Sequence, residues 1–508
     1  MASADLAALE PTKPTLTVRP TKGDETVLSQ EIVSEDEYDT GRERANRNAG
    51  KTKGHFFRWF DPEDGPLERR LLWKLDFYIL AFACAGYIMF YIDRGILSNA
   101  YVSGMKKDLK LYGNELVQLN TVYRCGTSVS NIPATVLITK YRSQYIVPSL
   151  VLIWGVFTVM SFRAGSFGEL VVYRLFVGLA EGPFFCSIEY VLGSWYRADE
   201  IVRRAGIFYI SSSIGQIITG LLAARIYTDL DGALGHAGWR WMYLIGGLMA
   251  LPIALFGIFT FPGTPNHGKR WVLTDEEFAL AKERMVVAGR KEPVGFSWSL
   301  VRRFLGRWHF WLLVPWNVSW LMGFLSETQG VYTLWLKSHK AYNTAQVNRL
   351  TSVAPAIGVI TIALFSFLAD KYGPKSRLWI VGIVAVIGVI ANMGFALYDH
   401  TSFAYKWFTY AESYTEVSLS SLQYSWANVI CRDDAEERAF VVSAMLAVGS
   451  ACDAWVPNVF FKTTDSPKWV NGHIFQAATM PVYFGLTATV YYFNKRAERR
   501  RSIKDNEG

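Results

Sequence analysis

The sequence predicts an all-α membrane protein with twelve transmembrane helices in two six-helix halves. Three observations predict this class: 51% of the 508 residues are hydrophobic, only 19% are charged, and the apolar residues fall into long segments. Soluble domains contain about 25% charged residues, and a helix needs roughly 20 apolar residues to cross the hydrocarbon core. Helices are expected because a bilayer offers no water to unpaired backbone groups.

Apolar segments of this length occur in two sets of six, separated by a long polar stretch. The first set is predicted at Leu72–Ser98, Val117–Thr139, Ile146–Phe162, Leu170–Leu192, Ala205–Tyr227 and Trp239–Phe261. The second set is predicted at Phe310–Leu336, Leu350–Leu368, Leu378–Leu397, Phe403–Ile430, Ala439–Phe461 and Ile474–Phe493. The predicted domains are a disordered cytosolic tail at 1–65, a first bundle at 66–262, a central loop at 263–308, a second bundle at 309–495 and a tail at 496–508.

Basic residues are concentrated in the connections after the even-numbered segments and in the tail after Tyr492. Cytosolic loops of membrane proteins carry an excess of Lys and Arg, so both termini and the central loop are predicted to face the cytosol. The formal net charge of +8 is explained by this topology and does not indicate a nucleic-acid partner. Within the central loop, the capping-box pattern Thr274-Asp-Glu-Glu277 predicts a short interfacial helix.

Several classes of protein are disfavoured. The five cysteines show no paired spacing, so neither a disulfide framework nor a zinc site is expected. The sequence contains no phosphate-binding glycine loop, nucleophile elbow or HExxH motif, and the seven histidines are scattered, mostly in loops. No polar segment is long enough for a nucleotide-binding domain, which argues against an ATP-driven pump. We therefore expect no enzyme, cofactor or metal, and a monomer embedded in lipid.

Charged residues inside the predicted spans are the first candidates for function, because each costs about 2.5–3.5 kcal/mol at the bilayer centre. In the fourth span Arg174, Gly178 and Glu181 share one helical face, with Glu181 about 10 Å along the axis from Arg174. Asp93 and Arg94 lie near the outer end of the first span. Two arginines at similar depth would form a clamp for a carboxylate, with Gly178 leaving an open groove between Arg174 and Glu181.

The two acids, Asp93 and Glu181, are the predicted proton-coupling residues, since a carboxyl in a low-dielectric site can bind and release a proton. The alternative is a static network, in which both acids only neutralise the arginines. Asn317 and Gln329 are predicted to donate hydrogen bonds to the substrate, although single polar residues in spans more often join helices. The roles of other charged residues in the spans stay open: Arg124, Glu412, Glu416 and Asp453.

A gate is predicted after the eighth span, in the segment Ala369-Asp-Lys-Tyr-Gly-Pro-Lys-Ser-Arg377. Asp370 stands at a helix end, Gly373 forms a turn before a proline, and Arg377 supplies a cation. Asp370 can pair with Arg377 or with a helix N-terminus while the cytosolic face is closed, and separate when that face opens.

Short motifs give a resemblance to the major facilitator superfamily over about residues 60–495, and more narrowly to the fungal anion:cation symporter (allantoate permease) family. They are Tyr91-Ile-Asp-Arg94, Arg174-x3-Gly-x2-Glu181, Ser194-Trp-Tyr-Arg197, Gly238-Trp-Arg-Trp-Met242 and Phe261-Pro-x-Thr-Pro265. The run Asn99–Leu109 is similar to the branch that carries vitamins such as pantothenate and biotin.

The resemblance implies the major facilitator fold and proton-coupled uptake of a small organic anion across the plasma membrane. It also implies that Arg94 and Arg174 bind the substrate carboxylate, and that Asp93 and Glu181 take part in proton coupling. The chain departs from the family in the loop Thr139–Gln144, which lacks an acidic gating pattern, and in the extra charge Arg124.

Two alternatives remain. An exporter of a small acidic metabolite would share the fold, although the fifth span lacks the Gly-Pro pair typical of drug:proton antiporters. A non-transporting nutrient receptor on the same scaffold would need a folded cytosolic tail.

Overall fold

The computed structural model of the protein describes residues 59–60, 64–265, 268–287, 298–339, 341–431 and 435–507. Every regular element within these ranges is a helix. The tail predicted at 1–65 lies almost entirely outside them.

The first half contains six long helices. They are α1 (Pro66–Asp108), α2 (Glu115–Lys140), α3 (Ser143–Ser161), α4 (Phe167–Trp195), α5 (Ala198–Leu230) and α6 (Gly238–Thr260). Helix α1 is not regular throughout, because π-helical turns occupy Asp76–Leu80 and Tyr101–Met105. In the second turn Gly104 has a φ of 123°, a conformation that residues with a side chain rarely adopt.

Two shorter helices follow: α7 (Asp275–Val287) and α8 (Trp298–Leu305). Helix α7 lies where the capping-box pattern predicts a helix. The Thr274 backbone N–H donates to the Glu277 carboxylate over 2.9 Å, and the Glu277 N–H donates to the Thr274 hydroxyl over 3.3 Å. These two bonds satisfy donors that the start of a helix leaves unpaired.

The second half is more broken than the first. Its helices are α9 (Trp308–Gly323), α10 (Leu325–Thr328), α11 (Val331–Ser338), α12 (Thr344–Leu350), α13 (Val353–Tyr372), α14 (Pro374–Ala396), α15 (Phe403–Val417), α16 (Ser420–Ile430), α17 (Ala435–Phe460) and α18 (Val470–Glu507). The seventh and tenth spans were predicted as continuous helices. In the structure the seventh span is divided into α9, α10 and α11, and the tenth into α15 and α16. In the seventh span Gly330 takes a left-handed φ of 67°, which stops the helix.

Among the described residues, eight helical segments are long and apolar enough to cross a membrane. They lie in α1, α3, α4, α5 and α6 of the first half, and in α12–α13, α14 and α17 of the second. The other four predicted spans fall on α2, α9–α11, α15–α16 and α18. The predicted class, an all-α membrane protein in two halves, is confirmed.

The starts of α1 and α9 and the last part of α18 define one end of the molecule, which we call the terminal end. There the rings of Trp308 and Phe493, in α9 and α18, lie 5.5 Å apart. The opposite end, which we call the far end, includes the connection between α1 and α2.

The two halves are hydrogen-bonded to each other at the far end. Asn348 of α12 donates to the Ser103 hydroxyl over 2.9 Å, and Asn458 of α17 donates to the Thr121 hydroxyl of α2 over 2.6 Å. Nearer the terminal end, the rings of Phe185 and Tyr424 meet across the halves at 5.7 Å. The two halves are therefore in contact at the far end.

Candidate functional site

Helices α1, α2 and α4 bring most of the predicted site residues into one cluster inside the first half. Asp93 and Arg94 lie on α1, while Arg174 and Glu181 lie on α4. The ring of Tyr123, on α2, lies beside both arginines. The guanidinium carbons of Arg94 and Arg174 are 5.4 Å and 5.2 Å from its centre, within the range of a cation–π contact.

Arg174 forms a buried ion pair with a carboxylate. Its Nη1 lies 2.8 Å from Asp93 Oδ2, and only 1% of Arg174 and 3% of Asp93 is exposed. The Thr158 hydroxyl of α3 donates to the other Asp93 oxygen over 2.6 Å. The predicted two-arginine clamp is therefore corrected, because Arg174 is neutralised inside the helix bundle. For this pair the static-network alternative describes the geometry better.

Arg94, in contrast to Arg174, is bonded to a tyrosine and not to a carboxylate. It is only partly buried, and its Nε donates to the Tyr123 hydroxyl over 2.8 Å. Its guanidinium carbon lies 4.3 Å from the centre of the Phe90 ring. Among the described residues, no carboxylate oxygen lies within ion-pair distance of Arg94. A charged guanidinium that is partly exposed and has no ion-pair partner is a candidate anion-binding group.

Glu181 is connected to Arg94 through Tyr123. The Tyr123 hydroxyl donates to Glu181 Oε2 over 2.5 Å, and Glu181 has no exposed surface. Its other oxygen, Oε1, is buried and has no hydrogen-bond partner among the described residues. The structure therefore gives an unbroken hydrogen-bond path from the cation to the buried acid.

Gly178 lies at a close helix contact and not at an open groove. A Cβ placed on Gly178 would collide with the backbone carbonyl oxygen of Tyr123. A Cβ on Gly126 of α2 would come within 2.8 Å of the Leu175 carbonyl oxygen. The prediction that Gly178 leaves a groove for substrate is wrong, because α2 fills that space. Its small size instead lets α2 carry Tyr123 to the cluster.

A second polar cluster joins the two halves and contains residues whose roles the sequence left open. Arg124 Nη2 of α2 lies 2.7 Å from Asp453 Oδ2 of α17. Thr328 donates to the other Asp453 oxygen over 3.1 Å. Gln329, a predicted substrate-binding residue that is 2% exposed, accepts a hydrogen bond of 3.2 Å from Asn120. Gln329 therefore lies at the boundary between the halves, next to the α2–α17 ion pair.

Asn317 is used in packing. It has no exposed surface, donates to the Met445 carbonyl over 2.8 Å and accepts from Gln423 over 2.8 Å. Tyr483 donates in turn to Gln423 over 2.9 Å. Because both ends of its carboxamide are bonded within the second half, we leave Asn317 out of the proposed binding set.

The predicted gate is described only in part. Helix α13 ends at Tyr372, and Gly373, with a φ of 71°, leads into α14. The Arg377 guanidinium lies 5.5 Å from the centre of the Trp426 ring. The side chain of Asp370 lies outside the described part of the chain, so its predicted pairing stays a prediction.

Two buried acids, Glu412 and Glu416, and the half-buried Glu327 form a separate group in the second half. Ser413 donates to Glu327, and Glu416 is 2% exposed. One oxygen each of Glu412 and Glu416 has no hydrogen-bond partner among the described residues. The sequence anticipated repulsion between Glu412 and Glu416, and the part of the chain described contains no cation within ion-pair distance of either.

Sequence reasoning missed two residues of the first cluster, Tyr123 and Thr158. Neither carries a charge, and each lies on a different helix from the acid that it bonds. Only the packing of α2 and α3 against α4 and α1 reveals them.

Comparisons with known proteins show the family of the chain and its fold. The family model of the Major Facilitator Superfamily matches residues 83–457. The pantothenate transporter liz1 of Schizosaccharomyces pombe is 30% identical over 445 residues, which cover 86% of this chain and 85% of the relative. The vitamin H transporter of Saccharomyces cerevisiae is 33% identical over 446 residues, covering 86% of this chain and 74% of the relative.

Solved structures share the fold at low sequence identity. The proton:xylose symporter XylE bound to 6-bromo-6-deoxy-D-glucose has a TM-score of 0.61 and 16% identity, with 83% of this chain and 95% of that chain covered. An inward-facing bacterial homologue of the human lysosomal transporter Spinster has a TM-score of 0.58 and 16% identity, covering 85% of this chain and 98% of that one.

The family model and the relatives together show that the chain is a multi-pass membrane transporter and not an enzyme. The chain belongs to the Major Facilitator Superfamily, and the similarity to fungal pantothenate and vitamin H transporters confirms the branch that the motifs indicated.

Proposed function

We propose that the protein is a proton-coupled symporter of a small organic anion, a vitamin carboxylate such as pantothenate, in the plasma membrane. The names of two relatives, a pantothenate transporter and a vitamin H transporter, support this substrate class. Both vitamins carry a single carboxylate on an otherwise uncharged body. One cationic group in the site is sufficient to recognise such a molecule.

The observation that carries the proposal is the state of Arg94. Its guanidinium has accessible surface and no ion-pair partner among the described residues, whereas Arg174 is already paired with Asp93. A charge inside the membrane needs a partner, and a substrate carboxylate would supply it. Arg94 is therefore the proposed anion-binding residue, and the Arg174–Asp93 pair fixes α1 against α4 beside it.

Glu181 is the proposed proton carrier. It is buried, it lies one tyrosine away from Arg94, and one of its oxygens has no partner among the described residues. A membrane potential supplies roughly 2.3 kcal/mol per charge per 100 mV. Moving one proton and one monovalent anion together is electrically neutral, so accumulation in that case would depend on the pH gradient.

Alternating access is the proposed mechanism. The far-end contacts between Asn348 and Ser103, and between Asn458 and Thr121, hold that side closed. With the termini in the cytosol, as the loop charges predict, the structure corresponds to a state closed to the outside. These contacts separate when the two halves rock to open the far end.

Uptake of radiolabelled pantothenate and biotin in a host lacking its own carriers tests the proposal. Wild-type protein is expected to give saturable uptake that is faster at about pH 5 than at about pH 7.5 and is abolished by a protonophore. Arg94→Ala is expected to lose saturable uptake. The matched control is Arg225→Ala, since Arg225 is exposed and pairs only with Asp229 one helical turn away. Normal uptake by Arg94→Ala would contradict the proposal.

A further inference from the structure

Tyr123 holds an intermediate position that the proposed roles of Arg94 and Glu181 do not use. Its hydroxyl accepts a 2.8 Å hydrogen bond from Arg94 Nε and donates a 2.5 Å hydrogen bond to Glu181 Oε2. We propose that Tyr123 couples proton binding at Glu181 to anion binding at Arg94 by reversing its hydrogen bond with Glu181. This inference rests on the proposed function, and it makes Tyr123 a second binding residue for the transported anion.

The chemistry follows from the capacity of a phenol hydroxyl, which has one proton to donate and two lone pairs to accept with. While Glu181 is ionised it can only accept, so the single Tyr123 proton is directed at it. When Glu181 binds a proton, its O–H donates to the Tyr123 oxygen, which also continues to accept from Arg94. The Tyr123 proton is then released to donate to an anion bound at Arg94.

The buried oxygen Oε1 supports a change of protonation at Glu181. It lacks a hydrogen-bond partner among the described residues. A buried acceptor without a partner costs more free energy in a charged group than in a neutral one. Proton binding to Glu181 relieves part of this cost. The new hydrogen bond from Tyr123 to the anion then favours binding of the proton and the anion together.

None of the other charged and titratable groups around Glu181 and Tyr123 can take the proton-binding role proposed for Glu181. They are Tyr91, Asp93 and Arg94 of α1, Arg124 of α2 and Arg174 of α4, with Tyr243 of α6 facing the Asp93–Arg174 pair. Asp93 has one oxygen at ion-pair distance from Arg174 and accepts from Thr158 with the other. Glu181 is therefore the one acid of this set that has a free oxygen and contacts Tyr123.

The test is the pH dependence of KM for radiolabelled pantothenate or biotin, whichever the wild-type protein transports. The released hydroxyl adds one hydrogen bond to a charged group, so the wild-type KM is expected to fall about tenfold between about pH 7.5 and about pH 5. Tyr123→Phe keeps the ring but has no hydroxyl, and its KM should change by less than about twofold over that range. The control Tyr101→Phe loses a hydroxyl that bonds the Leu111 carbonyl at 3.1 Å, away from the cluster, and should keep the wild-type profile.

A second variant keeps the inference testable if Tyr123→Phe does not fold. In Glu181→Gln the amide donates to the Tyr123 oxygen at every pH, and the variant can be assayed by exchange of labelled for unlabelled vitamin, which needs no net proton movement. Its KM for exchange at about pH 7.5 should equal the wild-type exchange value at about pH 5. Wild-type pH dependence of KM in Tyr123→Phe, or a high exchange KM in Glu181→Gln at both pH values, would overturn the coupling role while leaving anion transport intact. No saturable uptake of either vitamin by the wild-type protein would overturn the proposed function, and this inference with it.

Discussion

Arg174 of α4 and Asp93 of α1 form a 2.8 Å ion pair in the interior of the first half, and neither residue is more than 3% exposed. The partner of Asp93 is therefore not its sequence neighbour Arg94, which bonds to Tyr123. Of these two arginines, Arg174 is paired with a carboxylate inside the bundle, and Arg94 is the proposed anion-binding residue.

Breaking the ion pair should destabilise the protein more than removing Arg94. Asp93→Asn leaves the Arg174 guanidinium buried without a counter-charge, which costs about 3–5 kcal/mol. The melting temperature of the purified protein in detergent should fall clearly for Asp93→Asn and little for Arg94→Ala. The double variant Asp93→Asn with Arg174→Gln should recover part of the loss, because it removes both charges. A melting temperature of Asp93→Asn equal to that of the wild type would contradict this account.

A methyl group at Gly178 should push α2 and α4 apart. The added Cβ would meet the Tyr123 carbonyl oxygen, and overpacking of this kind costs about 1–3 kcal/mol. Gly178→Ala should therefore lower both the melting temperature and uptake. Gly206→Ala on α5 is the matched control, since no atom lies within 4 Å of its added Cβ. Equal stability of the two variants would show that the close contact is unimportant.

Closure of the far end can be tested by crosslinking. Asn458 Nδ2 lies 2.6 Å from Thr121 Oγ1 across the two halves. In a background lacking the native cysteines, Thr121→Cys with Asn458→Cys should form a disulfide on mild oxidation and stop uptake, and reductant should restore it. Each single cysteine variant serves as the control. Full transport by the crosslinked protein would mean that this face does not open during the cycle.

The docking of α7 on the start of α1 should weaken at acid pH. Burial works against it, but the hydrogen bonds from Lys74 and Thr274 hold the pKa of Glu277 below its ordinary value. A carboxylate with a lowered pKa stabilises the folded state above its ordinary pKa, and this stabilisation is lost as the pH falls through the folded pKa. Protection of the amides in 275–287 against hydrogen exchange, measured relative to the intrinsic exchange rate at each pH, should therefore fall below about pH 4 in the wild type. In Glu277→Gln the protection should be low already at about pH 6, and high protection there would refute the role of Glu277.

The fold was predictable because its physical causes are local. Segment length, loop charge and the Thr274–Glu277 capping box are each readable without knowing any distant neighbour. The helix breaks at Gly330, and at Ser418 between α15 and α16, could not be predicted from the sequence. Glycine and serine are common inside membrane helices, so neither residue signals a break.

The site was only partly predictable. The spacing of Arg174 and Glu181 places both on one face, but it does not reveal that Asp93 turns toward Arg174. Tyr123 carries no charge and gives no signal in the sequence, and its position depends on the close packing of α2 on Gly178. Pairing between helices decides which charge is neutralised, and that information is not local.

The most direct test of the central claim is whether Arg94 recognises the negative charge of the substrate. Binding of pantothenate and of its uncharged alcohol analogue to purified protein can be compared by titration calorimetry. Wild-type protein is expected to bind the acid at least about tenfold more tightly than the alcohol, and Arg94→Ala is expected to lose that preference. Undiminished preference for the acid in Arg94→Ala would contradict the account.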